Sequence, residues 1–295
     1  MESGAVNLLH MLEKRVRALC EEGKFPEARQ TAEAAVEKAR GILKADDPGT
    51  VVELALSLEV KGDLMRQTGE LEAARTAYLE ALELLDGSGD FTELLGRISA
   101  SIAVLYDQGG QFDEAKKFYE RAILLFERLD PPALLDVADL KNNLAFIFEE
   151  SGDDDTAESL FLDALKITNE QLGEGDPETA AICNNLGALY QKAGHFSQAR
   201  EMHSMALDNR TRQLGEDHPD TAQSHGNLAV TLAEADHSGD ARRHFEKAIS
   251  IYEGHLEEHG EDFATVAANY LEFLEEVGDS KTAASLEKKV RRLTK

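Results

Sequence analysis

Short Gly-x-x-x-x-Ala phrases recur along the chain, placing alanines at Ala28, Ala74, Ala115, Ala157, Ala199, Ala241 and Ala283, at spacings of 46, 41, 42, 42, 42 and 42 residues. A period held this closely limits the fold to a stack of like units, each burying its apolar face mainly against its neighbours. Five residues before these alanines stand Gly23, Gly69, Gly110, Gly152, Gly194, Asp236 and Gly278. Seven after them come Ala35, Ala81, Ala122, Ala164, Ala206, Ala248 and Val290. The glycine row predicts a tight turn between two antiparallel helices, at a position that needs a positive φ angle. The paired alanines lie on one face of the second helix and let the first helix come close.

Upstream of the turns, Ile102, Ala103 and Tyr106, then Leu144, Ala145 and Phe148, then Leu186, Gly187 and Tyr190 form the buried stripe of a first helix. Ala, Leu, Glu and Asp dominate, aromatics are 6% and Trp is absent, a composition that favours helix throughout. The expected fold is all-α.

The run from Leu186 to Ala199, read as Leu-Gly-x-x-Tyr-x-x-x-Gly-x-Phe-x-x-Ala, resembles the tetratricopeptide repeat. That repeat usually has a unit of about 34 residues. The 42-residue spacing found here therefore leaves each hairpin about eight residues, or two helical turns, to place in longer helices or longer links. The links Leu172-Gly-Glu-Gly-Asp-Pro177-Glu-Thr-Ala180 and Leu214-Gly-Glu-Asp-His-Pro219-Asp-Thr-Ala222 narrow the resemblance to kinesin light chains, as do Asn142-Asn143-Leu144-Ala145 and Asn184-Asn185-Leu186-Gly187. In these links a glycine stops one helix and a proline fixes the entry to the next.

The resemblance implies about seven helical hairpins in a right-handed superhelical solenoid spanning residues 1–295. It has an atypical N-terminal repeat or cap at 1–47, core repeats at 48–263 and a C-terminal capping repeat with a basic end at 264–295. It is closest over 134–263 and fades outward, where the first spacing is 46, Asp154 and Ser238 replace an aromatic after the turn, and Glu287 replaces an apolar residue. The heptad segment that pairs with a motor chain is missing, so motor binding is not carried over. The likeness is to the repeat domain alone, and in particular to the short kinesin-light-chain-like proteins of bacteria with tubulin-like filaments. For those, the resemblance implies a non-catalytic adaptor joining such filaments to a membrane or cargo.

Asn143, Asn185, Asn227 and Asn269 fall 42 residues apart on the first helices of four consecutive repeats, with Asn142 and Asn184 one residue earlier. In repeats of this type that face lines a concave groove. A ladder of amides there can hold the backbone of an extended peptide, since each amide both donates and accepts. The same asparagines could instead brace neighbouring helices. Glu149, Glu150, Gln191, Lys192, Glu234, Glu272, Glu275 and Glu276 fall near the turn-proximal end of the same face. Gln191 and Lys192 join the candidate peptide contacts, and the acidic majority favours a partner segment bearing Lys or Arg, unless it serves only solubility. A peptide receptor with no filament involved is the alternative function.

The end of the chain reverses the sign. Lys288, Lys289, Arg291, Arg292 and Lys295 accompany Leu286, Val290 and Leu293 on an amphipathic helix. Such a helix either packs with a solvated basic face or meets an anionic membrane or an acidic filament. Leu8, Leu9, Met11 and Leu12 near the start offer a surface for self-association.

The formal charge of −26 argues against general nucleic-acid binding. Cys20 and Cys183, far apart in the chain, support neither a disulfide framework nor a thiolate metal site. No apolar run approaches the roughly 20 residues that span a bilayer, and the start lacks the pattern of a secretion signal. A cytoplasmic location, with cytoskeletal or membrane association, is expected. His255-Leu-Glu-Glu-His259 lacks the glutamate position of a zinc-protease helix, and neither a nucleophile elbow nor a phosphate loop occurs. No cofactor, metal or catalytic residue is expected.

Overall fold

The computed structural model describes residues 2–87 and 91–293. Among these residues there are fourteen helices and no strand. They run α1 Glu2–Glu21, α2 Phe25–Ile42, α3 Pro48–Gln67, α4 Leu71–Leu85, α5 Thr92–Gln108, α6 Phe112–Glu127, α7 Leu134–Glu150, α8 Asp154–Gln171, α9 Pro177–Lys192, α10 Phe196–Leu214, α11 Pro219–Glu234, α12 Ser238–Glu253, α13 Leu256–Glu276 and α14 Ser280–Leu293. Odd-numbered helices pair with the even-numbered ones that follow them, giving seven hairpins.

The period explains the hairpins residue by residue. Gly23, Gly69, Gly110, Gly152, Gly194 and Gly278 all adopt positive φ between +68° and +80°, and Asp236, the one departure in that row, is forced to +61°. Each turn closes with the backbone N–H three residues after the end of the first helix returning to that helix, as His195 N does to Tyr190 O at 2.8 Å. Beyond the turn the first alanine row is buried without exception.

Four residues further on lies a row of large rings, Tyr78, Tyr119, Phe161, His203 and Phe245, all at 1% exposure or less. Opposite them the first helix must be small. A Cβ on Gly62 would meet the Tyr78 ring at 2.5 Å, and one on Gly187 would meet the His203 ring at 2.6 Å. In these two hairpins the small residue of the first helix thus seats the ring of the second, and this contact sets how closely the two helices pack.

The long unit is absorbed mostly by helix. In the repeat that starts at Pro177, α9 has 16 residues and α10 has 19, leaving short connections at 193–195 and 215–218. Gly173 and Gly215 stop the preceding helices at φ of +92° and +94°. Pro48, Pro177 and Pro219 begin the following ones behind the caps Asp47, Asp176 and His218. A threonine two residues after each proline clasps the link. Thr50, Thr179 and Thr221 donate to the carbonyls of Lys44, Gly173 and Gly215 at 3.1, 3.1 and 2.8 Å.

The chain forms two compact units, residues 1–140 and 141–295. The first buries one cluster around Leu54, Leu58, Tyr78 and Ile98 and another around Val16, Leu19 and Leu64. The second has its largest cluster around Phe245, Phe263, Tyr270 and Leu274, with others around Phe161, Leu186 and Tyr190 and around Cys183 and Ala206.

Some local expectations take a different form. The stretch His255–His259 is not one continuous helical face, because His259 leaves helical geometry at φ −124° and kinks α13. Its imidazole turns to Asp262 Oδ2 at 3.0 Å, while His255 lies 3.1 Å from the Asp217 carbonyl. Of the apolar N-terminal residues, Leu9 is fully buried and Leu12 packs against the core, whereas Leu8 and Met11 are exposed.

Candidate functional site

The asparagine positions of the second unit sit on consecutive first helices, from the Lys141–Glu150 part of α7 through α9 and α11 to α13. Side chains one period apart touch. Asn185 Nδ2 donates to Asn142 Oδ1 at 2.9 Å, and Asn142 Nδ2 lies 3.4 Å from Asn143 Oδ1. Toward the turns, Lys192 Nζ donates to Glu149 Oε1 at 3.1 Å and Thr231 Oγ1 to Gln191 Oε1 at 3.0 Å. These contacts join residues 43, 43 and 40 apart on successive first helices, close to one period. Asn143, Asn185, Asn227 and Asn269 hold the same repeat position on these four helices, and all four are half-buried.

Asn184 behaves differently. It is 7% exposed and turned inward, its Nδ2 lying 3.4 Å from Ser224 Oγ and its Oδ1 3.3 Å from His203 Nδ1. With Asn184 accepting, His203 carries its proton on Nδ1, which leaves Nε2 buried with no partner. Burial pushes the His203 pKa down to about 4, so the ring is neutral. Arg210 Nη1 completes this inter-repeat network, bonding Ser224 Oγ at 3.1 Å and Gln223 Oε1 at 2.9 Å.

One turn beyond the asparagine row runs an apolar stripe: Phe146, Ala188 and Val230, one period apart. Phe146 is 40% exposed and leans edge-on against the buried Phe161 ring, with centroids 5.2 Å apart. Sequence analysis did not single out Phe146, although its place three residues after Asn143 puts it on the same helical face.

Past the stripe stand the carboxylates. Glu272 continues the stripe's register on α13, and Glu234 and Glu276 flank it. Partial burial, and then the nearby charges of Glu276 and Glu272, raise the Glu234 pKa, against the hydrogen bond from Gln191 that lowers it. No lysine or arginine among the described residues pairs with Glu234, Glu272 or Glu276.

The basic cluster lies on α14. Its apolar residues Leu286, Val290 and Leu293 pack into the main cluster of the unit. Lys288, Arg291 and Arg292 are exposed. Lys289 Nζ donates to Glu253 Oε1 at 2.5 Å and Arg291 reaches Glu287 at 3.3 Å. Lys295 lies outside the described residues.

No group of three or more metal-ligating side chains occurs among the described residues, nor is any described helix long and apolar enough to cross a membrane. Both cysteines are free thiols.

The tetratricopeptide repeat family model matches residues 53–128, 136–212 and 198–254, well over half of the chain. The chain belongs to the tetratricopeptide repeat family. Among solved structures it is similar to BtubC (bKLC) from P. vanneervenii, with 30% identity over 77% of this chain and 91% of that one and a TM-score of 0.65. It also resembles a putative kinesin light chain from Podospora anserina with nearly identical repeats (16% identity, 71% of this chain and 97% of that one, TM-score 0.60). A third likeness is to aspartyl phosphate phosphatase F from Bacillus subtilis (14% identity, 97% and 70%, TM-score 0.66). The last two show the fold alone. Comparison with curated proteins gave no match.

Proposed function

We propose that this protein is a non-catalytic binding adaptor, and that the first-helix face of residues 141–295 holds an extended segment of a protein partner. The observation that carries this role is the Asn185 to Asn142 hydrogen bond, which joins amides of successive repeats; the repeat position of Asn185 is also held by Asn143, Asn227 and Asn269. Neutral amides suit a peptide backbone because they pair with both its N–H and its C=O groups. The test is to pan a displayed peptide library on the protein and on a variant carrying Asn143→Ala, Asn185→Ala and Asn227→Ala. Enrichment of peptides on the parent alone is the expected result. Equal enrichment on both would place binding elsewhere.

A second role, linking tubulin-like filaments to a membrane or cargo, is supported by the likeness to BtubC (bKLC) and by the kinesin-light-chain links in the sequence. With the apolar side of α14 packed inward, membrane contact would be electrostatic, through Lys288, Arg291 and Arg292. Co-sedimentation with purified tubulin-type filaments and with anionic liposomes tests this role. Pelleting with both, and loss of the liposome fraction when the chain ends before Lys288, would support it. Pelleting with neither would leave the peptide-receptor role standing alone.

A further inference from the structure

We infer that the partner segment is basic and carries an apolar anchor: a large apolar side chain seats on Phe146 and Ala188, and lysine or arginine side chains at its other end pair with Glu234, Glu272 and Glu276. This assignment rests on the asparagine row serving as a binding face, and adds to it the chemistry of the occupant.

Three neighbouring features of one face lead to it. Phe146, at 40% exposure, is the largest apolar group on that face, and its edge-on contact with Phe161 holds it in place. Such a half-seated ring offers a face or edge on which a second ring can stack, or an aliphatic chain can lie. Ala188, exposed in the next repeat, leaves room beside it for that chain.

The carboxylates supply the second feature. Glu234, Glu272 and Glu276 come from adjacent first helices, repel one another and lack a basic partner among the described residues. The contrast along the same face is telling. Glu149 at its other end already holds Lys192, at 3.1 Å. A cation is thus supplied internally at the α7–α9 step, whereas the α11–α13 step leaves its carboxylates open to a cation from outside.

The third feature is the distance between the two ends. A strand advances about 3.3 Å per residue, and successive first helices of stacked hairpins lie about 8–10 Å apart. Moving from α7 to α13 therefore takes about seven to nine residues of extended chain. The occupant has its anchor at one end, its cations at the other, and a backbone between them over Asn185 and Asn227.

Fluorescence anisotropy with labelled synthetic peptides tests the assignment on the full chain. The parent probe carries one phenylalanine, a glycine-serine spacer of that length and two terminal lysines. A second probe has glutamates for the lysines, and a third has serine for the phenylalanine. The parent probe should bind, lose at least about tenfold in affinity to the E234Q/E272Q/E276Q variant, and weaken as salt is raised. The phenylalanine-free probe should lose a similar factor, as should the parent probe on F146A. Circular dichroism checks that both variants keep their helix. Stronger binding of the glutamate probe would overturn the charge assignment while leaving the asparagine face intact. Binding of the parent probe that persists on both variants would overturn the whole assignment. No binding of any probe, combined with ladder-dependent peptides from the library that lack basic residues, would overturn it and spare the broader role.

Discussion

The two units use the same repeat to opposite ends. In residues 141–295 the position fourteen before the turn-following alanine holds Asn143, Asn185, Asn227 and Asn269; in residues 1–140 it holds Lys14, Val60 and Ser101. The first unit closes its polar contacts between repeats with charge. Arg97 donates from Nε and Nη2 to both oxygens of Glu59 at 2.9 Å, and Ser57 Oγ donates to Glu13 Oε1 at 3.0 Å. Glu59 and Glu13 are buried, so these pairs leave little for a ligand to replace. The second unit uses neutral amides that keep free capacity for donors and acceptors. The difference teaches that a fixed backbone repeat leaves the first-helix surface free to carry charged pairs in one unit and amides in the other.

Acid should separate the units most strongly. His203 takes the ring position that Tyr78 and Tyr119 fill in the first unit, and burial lowers its pKa from 6.5 to about 4; burial also lowers His225 to about 4. A neutral buried histidine takes its proton more readily when unfolded, so stability is lost as pH falls from about 6.5 through about 4. For His203 alone the loss approaches roughly 3 kcal/mol. In the first unit burial raises Glu13 and Asp63 instead, so the folded state there holds protons more tightly and its stability rises as pH falls. Hydrogen exchange at neutral and acid pH should show the second unit opening first, and His203→Phe should remove a large part of the difference. Equal opening of both units in the variant and the parent would break this account.

Next in size is Arg97→Ala, which leaves Glu59 buried without its partner. Allowing for the solvent that reaches Arg97, the loss is about 2–3 kcal/mol by denaturant unfolding. Asn185→Ala, in contrast, should lower stability by about 1 kcal/mol and abolish partner binding. If the two substitutions cost the same stability, the division into bracing and binding faces fails. The smallest effect belongs to Asp236. It is the one residue of the turn row held at positive φ with a side chain, and Asp236→Gly should raise the unfolding midpoint by the equivalent of about 0.5–1 kcal/mol.

The hairpins could be read from the sequence because one constraint, a positive φ five residues before a buried alanine, repeats seven times. The row of rings four residues after the five inner alanines was equally open to reading, and would have marked His203 as the one ring there that is neither Tyr nor Phe. What the period could not show is which neighbour a polar side chain prefers. Asn184 and Asn185 are identical and adjacent, yet a rotation of one residue along the helix sends the first to His203 and Ser224 and the second to Asn142. Nor could a sequence show that Lys192 is held by Glu149 whereas Glu234, at the equivalent place one repeat later, has two carboxylates for company.

The most direct measurement compares binding of one library-selected peptide, by titration calorimetry, to the parent, to the Asn143→Ala, Asn185→Ala and Asn227→Ala variant, and to a Lys14→Ala and Ser101→Ala variant. Loss of binding with the first set of substitutions alone, at unchanged helicity, is the predicted result. Binding that survives the first set, or is lost with the second, would contradict the claim that the asparagine row of residues 141–295 is the partner's seat.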